Sequence, residues 1–207
     1  MIIPKTLKKG DKISIISTAR KIDIEELNSS IKILKSWGLE VVFGDNLFKE
    51  NNQFSGTINQ RTEDLQNAVN DNSISAILCA RGGHGTVQII DTIDFSNLKM
   101  NPKWVIGYSD ITVLHSHLNR LGIESLHATM PINFKNNTEE SLKSLKNLLF
   151  DGQNMIQCKA HKLNKKGSVL TEIIGGNLSI LYSLLGSNSD VDTNGKILFI
   201  EDLDEYL

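Results

Sequence analysis

Five short apolar runs, 12–18, 39–43, 74–80, 103–108 and 123–127, are separated by longer stretches whose apolar residues recur at helical spacing. Runs this short and this apolar read as strands covered on both faces. Strands that alternate with crossover helices fold into a mostly parallel sheet flanked by helices, with right-handed connections. The chain is therefore expected to be an α/β protein, and no internal repeat or low-complexity tract competes with that reading.

Local signals mark the helices. Asp23 and Glu26 form a capping box, Ile24, Leu27, Ile31 and Leu34 follow on one face, and Gly38 stops the helix. Residues 61–70 read as a second helix with Leu65, Ala68 and Val69 inward, 86–93 as a third, and a fourth runs from near Ser109 to Arg120. Thr138 caps a fifth, with Leu142, Leu145, Leu148 and Leu149 inward and Asp151-Gly152 closing it. The polar stretch 44–57 is longer than a usual strand-to-helix connection, and such loops are often functional. After residue 150 the rhythm changes: 155–174 is polar and strand-like, 177–185 helical, and 196–200 a last strand ending in Glu201. We expect residues 1–150 to be a flavodoxin- or Rossmann-like α/β domain, and 151–207 to be a linker and the start of a second domain.

Composition excludes several classes. Of 207 residues 40% are apolar, enough for a core, so the chain is not disordered. A net charge of -2 gives no drive toward nucleic acid or acidic membranes. Two cysteines with no CxxC make no disulfide framework, and Cys79 lies in an apolar run as an inert thiol. The N-terminus reaches Pro4 and Lys5 with no signal-peptide core, and no run approaches the ~18–20 apolar residues that span a bilayer. A cytoplasmic protein is the expectation. The chain stops at Leu207, six residues past a strand that should feed another element, which suggests a fragment.

The unusual residues follow strand ends, where parallel sheets hold their ligands. Gly107-Tyr108-Ser109-Asp110 is a strand, tight turn and helix start that half meets the G-x-S-x-G nucleophile elbow, with Ile111 in place of the second glycine. Ser109 reads as a nucleophile or as a plain helix cap. Arg81-Gly82-Gly83-His84-Gly85 can bring backbone amides close to an oxyanion or phosphate, or can simply be a sharp turn. Glu201-Asp202-Leu203-Asp204-Glu205 offers a carboxylate to orient an imidazole, a pair of acids for a divalent metal, or only a favourable helix start. The histidines show no metal-ligand spacing, and His115 and His117, two apart, face different ways. No metal or cofactor is expected. Gly175-Gly176-Asn177 reads as a turn and cap.

Taken together, LKKGDKISIISTAR, SWGLEVVFGDNLF, CARGGHGTVQIID, NPKWVIGYSDITVLH, LHATMP, GGNLSIL and KILFIEDLDE resemble the L,D-carboxypeptidase family of serine peptidases. That family includes muramoyltetrapeptide carboxypeptidases and the peptidases that confer immunity to microcin C. The resemblance implies a Ser-Glu-His triad with Ser109 as nucleophile and Glu201 as acid, and an oxyanion hole from the N–H groups of Asp110 and the Gly82-Gly83 turn. It implies a murein tetrapeptide substrate losing its terminal D-amino acid, and a homodimer. His84 stands where the family usually has Tyr. The family's histidine follows the Glu motif in a Gly-His turn that no position here matches, so the 207-residue chain alone is expected to be inactive; Ser109-dependent turnover by it would point to His84 as a substitute base. Arg81 is a candidate partner for the substrate's terminal carboxylate. Two alternatives remain: a microcin-immunity-type peptidase acting on peptidyl nucleotides, and a nucleotide-phosphate site, since Gly82-Gly83-His84-Gly85-Thr86 resembles the GGDGT signature of NAD kinases.

Overall fold

The computed structural model describes residues 1–203. A five-stranded sheet forms its centre. The chain runs β1 (Lys12–Ile16), α1 (Ile24–Ser36), β2 (Glu40–Phe43), a small hairpin of β3 (Glu50–Asn51) and β4 (Phe54–Ser55), α2 (Ile58–Asn70), β5 (Ile74–Cys79), α3 (Ser96–Met100), β6 (Trp104–Gly107), α4 (Thr112–Arg120), β7 (Leu126–His127) and α5 (Glu139–Asp151). The sheet order is β2-β1-β5-β6-β7 and every neighbouring pair is parallel. With the hairpin set aside this is the flavodoxin-like order, whose switch point lies between β1 and β5.

Period-two alternation splits the core. Ile16, Ile77, Cys79 and Val105 face α2, α3 and α4, meeting Leu65, Val69, Leu98, Leu114 and Leu118. Ile13, Ile15, Leu78 and Ile106 face α1 and α5, meeting Leu27, Leu34, Leu145 and Leu149. Burying a whole Ile or Leu side chain stabilises by about 1.5–3 kcal/mol, so these two layers dominate the favourable side of folding. The helix ends follow the sequence signals: the Asp23–Glu26 box is formed, Thr57 and Thr138 accept the amides of Gln60 and Ser141, and Gly152 takes a left-handed φ of 69°.

Three expectations are corrected. Residues 86–93 are two 3₁₀ turns, Thr86–Gln88 and Ile90–Thr92, rather than a helix. That stretch is rich in β-branched residues, which are poor helix formers, and Thr86 is tied down from outside. The fourth helix begins at Thr112, after a 3₁₀ turn at Ser109–Ile111. Residues 153–172 form no strand and are exposed. Beyond them come β8 (Ile173–Asn177), α6 (Leu178–Ser183) and β9 (Ile197–Glu201), with β8 and β9 pairing in parallel as a separate two-stranded sheet beside α4. Among the described residues no helix is long and apolar enough to cross a membrane.

Candidate active site

β6 is buried along its length and delivers Gly107 and Tyr108 to the carboxyl edge of the sheet. There the chain reverses through Ser109, whose φ is +61°. A serine in the left-handed region costs roughly 1–2 kcal/mol and persists only where its surroundings dictate it. Here they do. The Gly107 carbonyl accepts from Ala128 N–H (2.9 Å) and from His115 Nε2 (2.9 Å), and Ile111 packs where a Gly107 side chain would stand. A carbonyl only accepts, so His115 carries its proton on Nε2 and takes the Ser125 hydroxyl on Nδ1 (2.8 Å). Burial pushes that imidazole down to about 4, so it is neutral at pH 7. It braces the turn and has no nitrogen left for proton transfer.

The glycine turn lies directly over the serine. A Cβ on Gly82 would stand 3.2 Å from Ser109 Oγ, so only glycine leaves that space open. Asp110 joins the two loops: fully buried, its Oδ2 accepts from Gly85 N–H (3.1 Å), Thr86 N–H (3.0 Å) and Thr86 Oγ1 (2.7 Å). Thr86 spends its only hydroxyl proton on Asp110, so Thr18 Oγ1 must be the donor in the 2.7 Å contact between the two threonines. Buried Arg61 closes the network. It donates to the Thr18 (2.7 Å) and Gly85 (3.1 Å) carbonyls and to Gln88 Oε1 (2.7 Å), with its guanidinium 4.6 Å from the Phe54 ring centre. With the Gly85 and Thr86 amides held by a carboxylate, this part of the loop has no donors to offer a phosphate.

The acid arrives from the second sheet. Asn177 N–H donates to Thr112 Oγ1 (3.0 Å), and Gly176 packs against Thr112 so closely that a Cβ there would collide with its side chain. The β8–β9 register sets Asn177 opposite Glu201. Glu201 thus reaches the same strand ends as Ser109, and Tyr108 is pushed up by burial and by Glu201. Among the described residues Glu201 Oε1 is buried without a hydrogen-bond partner. Burial and then Asp202 push Glu201 upward, whereas Asp202 is held down to about 2, chiefly by the Ser179 hydroxyl and the Leu203 amide. Asp202 also accepts from Asn177 Nδ2 (2.9 Å) and Ser179 N–H (3.0 Å), fixing the start of α6. The two acids therefore divide: Asp202 is an anchor, and Glu201 the one open to further chemistry. Asp204 and Glu205 lie outside the described residues.

Ser109 and Gly82 are thus brought together, Asp110 ties them to the rest of the glycine loop, and Glu201 stands beside Asn177, which bonds Thr112. Arg81 is half-buried and donates from Nη1 to the Lys21 carbonyl (3.0 Å); His84 is exposed. Sequence reasoning missed Arg61 and Thr112 and named Thr86 only as part of the glycine loop; His127 is exposed. His127 pairs with Gly107 at the end of β7, its ring 6.1 Å from Tyr108 and 5.1 Å from Phe199. With Tyr108, Thr129, Asn133 and Asn137 it lines a cleft of 250 Å³ beside the turn. Nothing in the local spacing of these residues announces them, because each is recruited from a different element. Among the described residues no histidine is hydrogen-bonded to Ser109 or Glu201.

Residues 13–128 match the family model described as the LD-carboxypeptidase N-terminal domain, and residues 171–207 match its C-terminal domain. A protein named probable murein peptide carboxypeptidase from Bacillus subtilis is 33% identical over 98% of this chain and 65% of its own length. The murein tetrapeptide carboxypeptidase of Pseudomonas aeruginosa is 30% identical over 94% of this chain and 67% of its own. Among solved structures, an MccF-like protein from Bacillus anthracis superposes with a TM-score of 0.84 at 26% identity, covering 97% of this chain and 69% of that one. A muramoyltetrapeptide carboxypeptidase from Oxalobacter formigenes gives 0.78 at 24% identity, covering 91% and 65%. The chain spans about two thirds of the length of the curated relatives it matches.

Proposed function

This chain belongs to the LD-carboxypeptidase family, and on that premise we propose that it carries the nucleophile, oxyanion hole and triad acid of a serine peptidase. The substrate is a murein tetrapeptide, and the reaction releases its terminal D-amino acid during cell-wall recycling. The single observation that carries this reading is Ser109 at φ +61° with Gly82 against its hydroxyl. That is the backbone of a nucleophile elbow, built without the second glycine of the usual pattern.

Ser109 Oγ attacks the scissile carbonyl while an imidazole takes its proton, and the same imidazole then protonates the leaving amine. Glu201 orients that imidazole. The negative oxygen of the tetrahedral intermediate is met by the N–H groups of Asp110 and of the Gly82-Gly83 turn. Among the described residues neither glycine N–H is engaged in a backbone hydrogen bond outside regular elements, which supports that role. Arg81 and His84 border the same turn, and His84 is exposed there for substrate contact. The histidine is the part that the family resemblance places after the Glu201 strand, so the complete product of the gene is the species to assay. By the same resemblance it works as a homodimer.

Ser109→Ala in that complete product should lower turnover by at least ~10⁴-fold while leaving tetrapeptide binding nearly intact, the pattern of a lost transition-state interaction. Retention of most of the rate would overturn the assignment. A second reading, cleavage of a peptidyl nucleotide, is favoured by the likeness to the MccF-like protein. Comparing kcat/KM for the murein tetrapeptide and for an aminoacyl sulfamoyl nucleoside decides between them.

A further inference from the structure

Three cations stand where the loop after β1 meets the glycine turn, and two of them are already engaged. Lys21 Nζ is paired with Glu50 (2.5 Å), and Arg81 Nη1 donates to the Lys21 carbonyl (3.0 Å). Arg20 is the third. It is exposed, and among the described residues its guanidinium has neither an ion pair nor a hydrogen bond.

The backbone beneath it is nonetheless fixed from several sides. The Ser17 hydroxyl donates to the Arg20 carbonyl (2.6 Å), and Arg20 bridges Phe54 of the hairpin in antiparallel fashion. Its neighbours are held as well: Ser55 N–H donates to the Ala19 carbonyl (2.9 Å), and Lys21 N–H to the Gln53 carbonyl (3.1 Å). The long 44–57 loop therefore acts as a brace for this corner. Such an arrangement fixes the backbone from which a long side chain starts and leaves its charge unneutralised.

The stem of Arg20 lies against the glycine turn. A Cβ on Gly83 would stand 2.8 Å from Arg20 Cγ, just as one on Gly82 would stand 3.2 Å from Ser109 Oγ. The two-residue glycine turn is thus a thin partition, with the nucleophile against one residue and Arg20 against the next. In a peptide cleaved before its last residue, the terminal carboxylate lies one residue, about 3.5 Å, from the attacked carbonyl. From that stem a guanidinium extended past Gly83 would meet that carboxylate, and its planar fork suits a bidentate contact.

Resting on the peptidase reading above, we propose that Arg20, rather than Arg81, is the residue that recognises the substrate's free C-terminal carboxylate, and that Arg81 and the 44–57 hairpin position it. The hairpin is then a specificity element, and activity is confined to exopeptidase cleavage because an internal peptide bond presents no carboxylate there.

The test uses the Ser109→Ala variant of the complete gene product, so that substrate binds without turnover. Calorimetric titration compares the murein tetrapeptide with its C-terminal carboxamide. With Arg20 present the acid should bind at least 10-fold tighter than the amide. Adding Arg20→Gln should weaken the acid by at least 10-fold, to the level of the amide, and leave the amide unchanged; Arg20→Lys should recover part of the difference. An acid-to-amide ratio that survives Arg20→Gln overturns the proposal, as does an equal loss for both peptides with an unchanged urea midpoint. Failure of either peptide to bind the Arg20-containing protein overturns the peptidase reading itself, and the clamp with it.

Discussion

Two strands of nearly the same composition end in different surroundings. KISII forms β1 at the centre of the main sheet, where Ile13, Ile15 and Ile16 are wholly buried. KILFI supplies β9, where Leu198, Phe199 and Ile200 remain 44%, 40% and 48% exposed among the described residues. Parallel strands are normally covered on both faces, and among the described residues the second sheet is not. The division matters for the chemistry. The Ser109 turn and the glycine loop, proposed as nucleophile and oxyanion hole, stand on the dry, cross-braced sheet, while Glu201 stands on the second, tied to the first through Asn177 and Thr112. The part that must be held against strain is built into the core, and the acid is attached to it from outside.

The largest expected effect tests the bracing. Arg61→Ala should destabilise the fold by on the order of 3–5 kcal/mol in urea unfolding, because three loops and the buried Asp110 lose their common cation. A loss below about 1 kcal/mol would mean that backbone contacts alone hold the glycine loop in place.

The two sheets can then be weighed directly. Ile106→Ala in β6 should cost about 3 kcal/mol, and Leu198→Ala in β9 less than about 1 kcal/mol. Equal costs would show that β9 is covered in solution, and would erase the contrast between the sheets.

Acid should act chiefly through the buried core. Buried His115 is pushed down to about 4 from its ordinary 6.5. Between those values the folded state binds fewer protons than the unfolded chain, so stability falls as the pH drops through that window. The share of His115 in the loss between pH 7 and pH 5 should be about 2 kcal/mol, and His115→Gln should remove it, leaving the shares of His117 and His127, which desolvation also pushes down. A stability curve that stays level over this range, with wild-type His115 in place, would mean the ring is not held neutral by the fold.

The smallest effect concerns the turn. Ser109→Gly should be more stable than Ser109→Ala by about 1 kcal/mol, since glycine tolerates positive φ and alanine does not. Equal stability of the two variants would show that the turn stores no backbone strain.

Much of the fold was legible because strand and helix periods differ and each central run was apolar enough to declare itself. The helix expected at 86–93 failed for a specific reason: its β-branched residues favour other backbones, and Asp110 captures the amides at its start. The strand expected within 155–174 failed because alternation without a partner edge or a core to cover does not order a chain. At the site, Ser109, Gly82, Gly83 and Glu201 could be picked out since each follows a strand end. Asp110 could be picked out too, but for its amide only. The role of its carboxylate, which ties the elbow to the glycine loop, is set by groups 24 and 25 residues away.

Arg61 and Arg20 show most clearly where the sequence stops. As text, one is a polar residue at the start of a helix and the other a basic residue after a strand. Their positions decide everything else: Arg61 is buried among carbonyls from separate loops, and Arg20 is left exposed beside a glycine turn whose other residue stands against Ser109. Periodicity, caps and turn residues are local, so the sequence by itself determined the order of strands and helices and the places where the chain must turn. Which turns meet, which charges are buried and which stay open depend on contacts between residues far apart in the chain, and those only the tertiary structure decided.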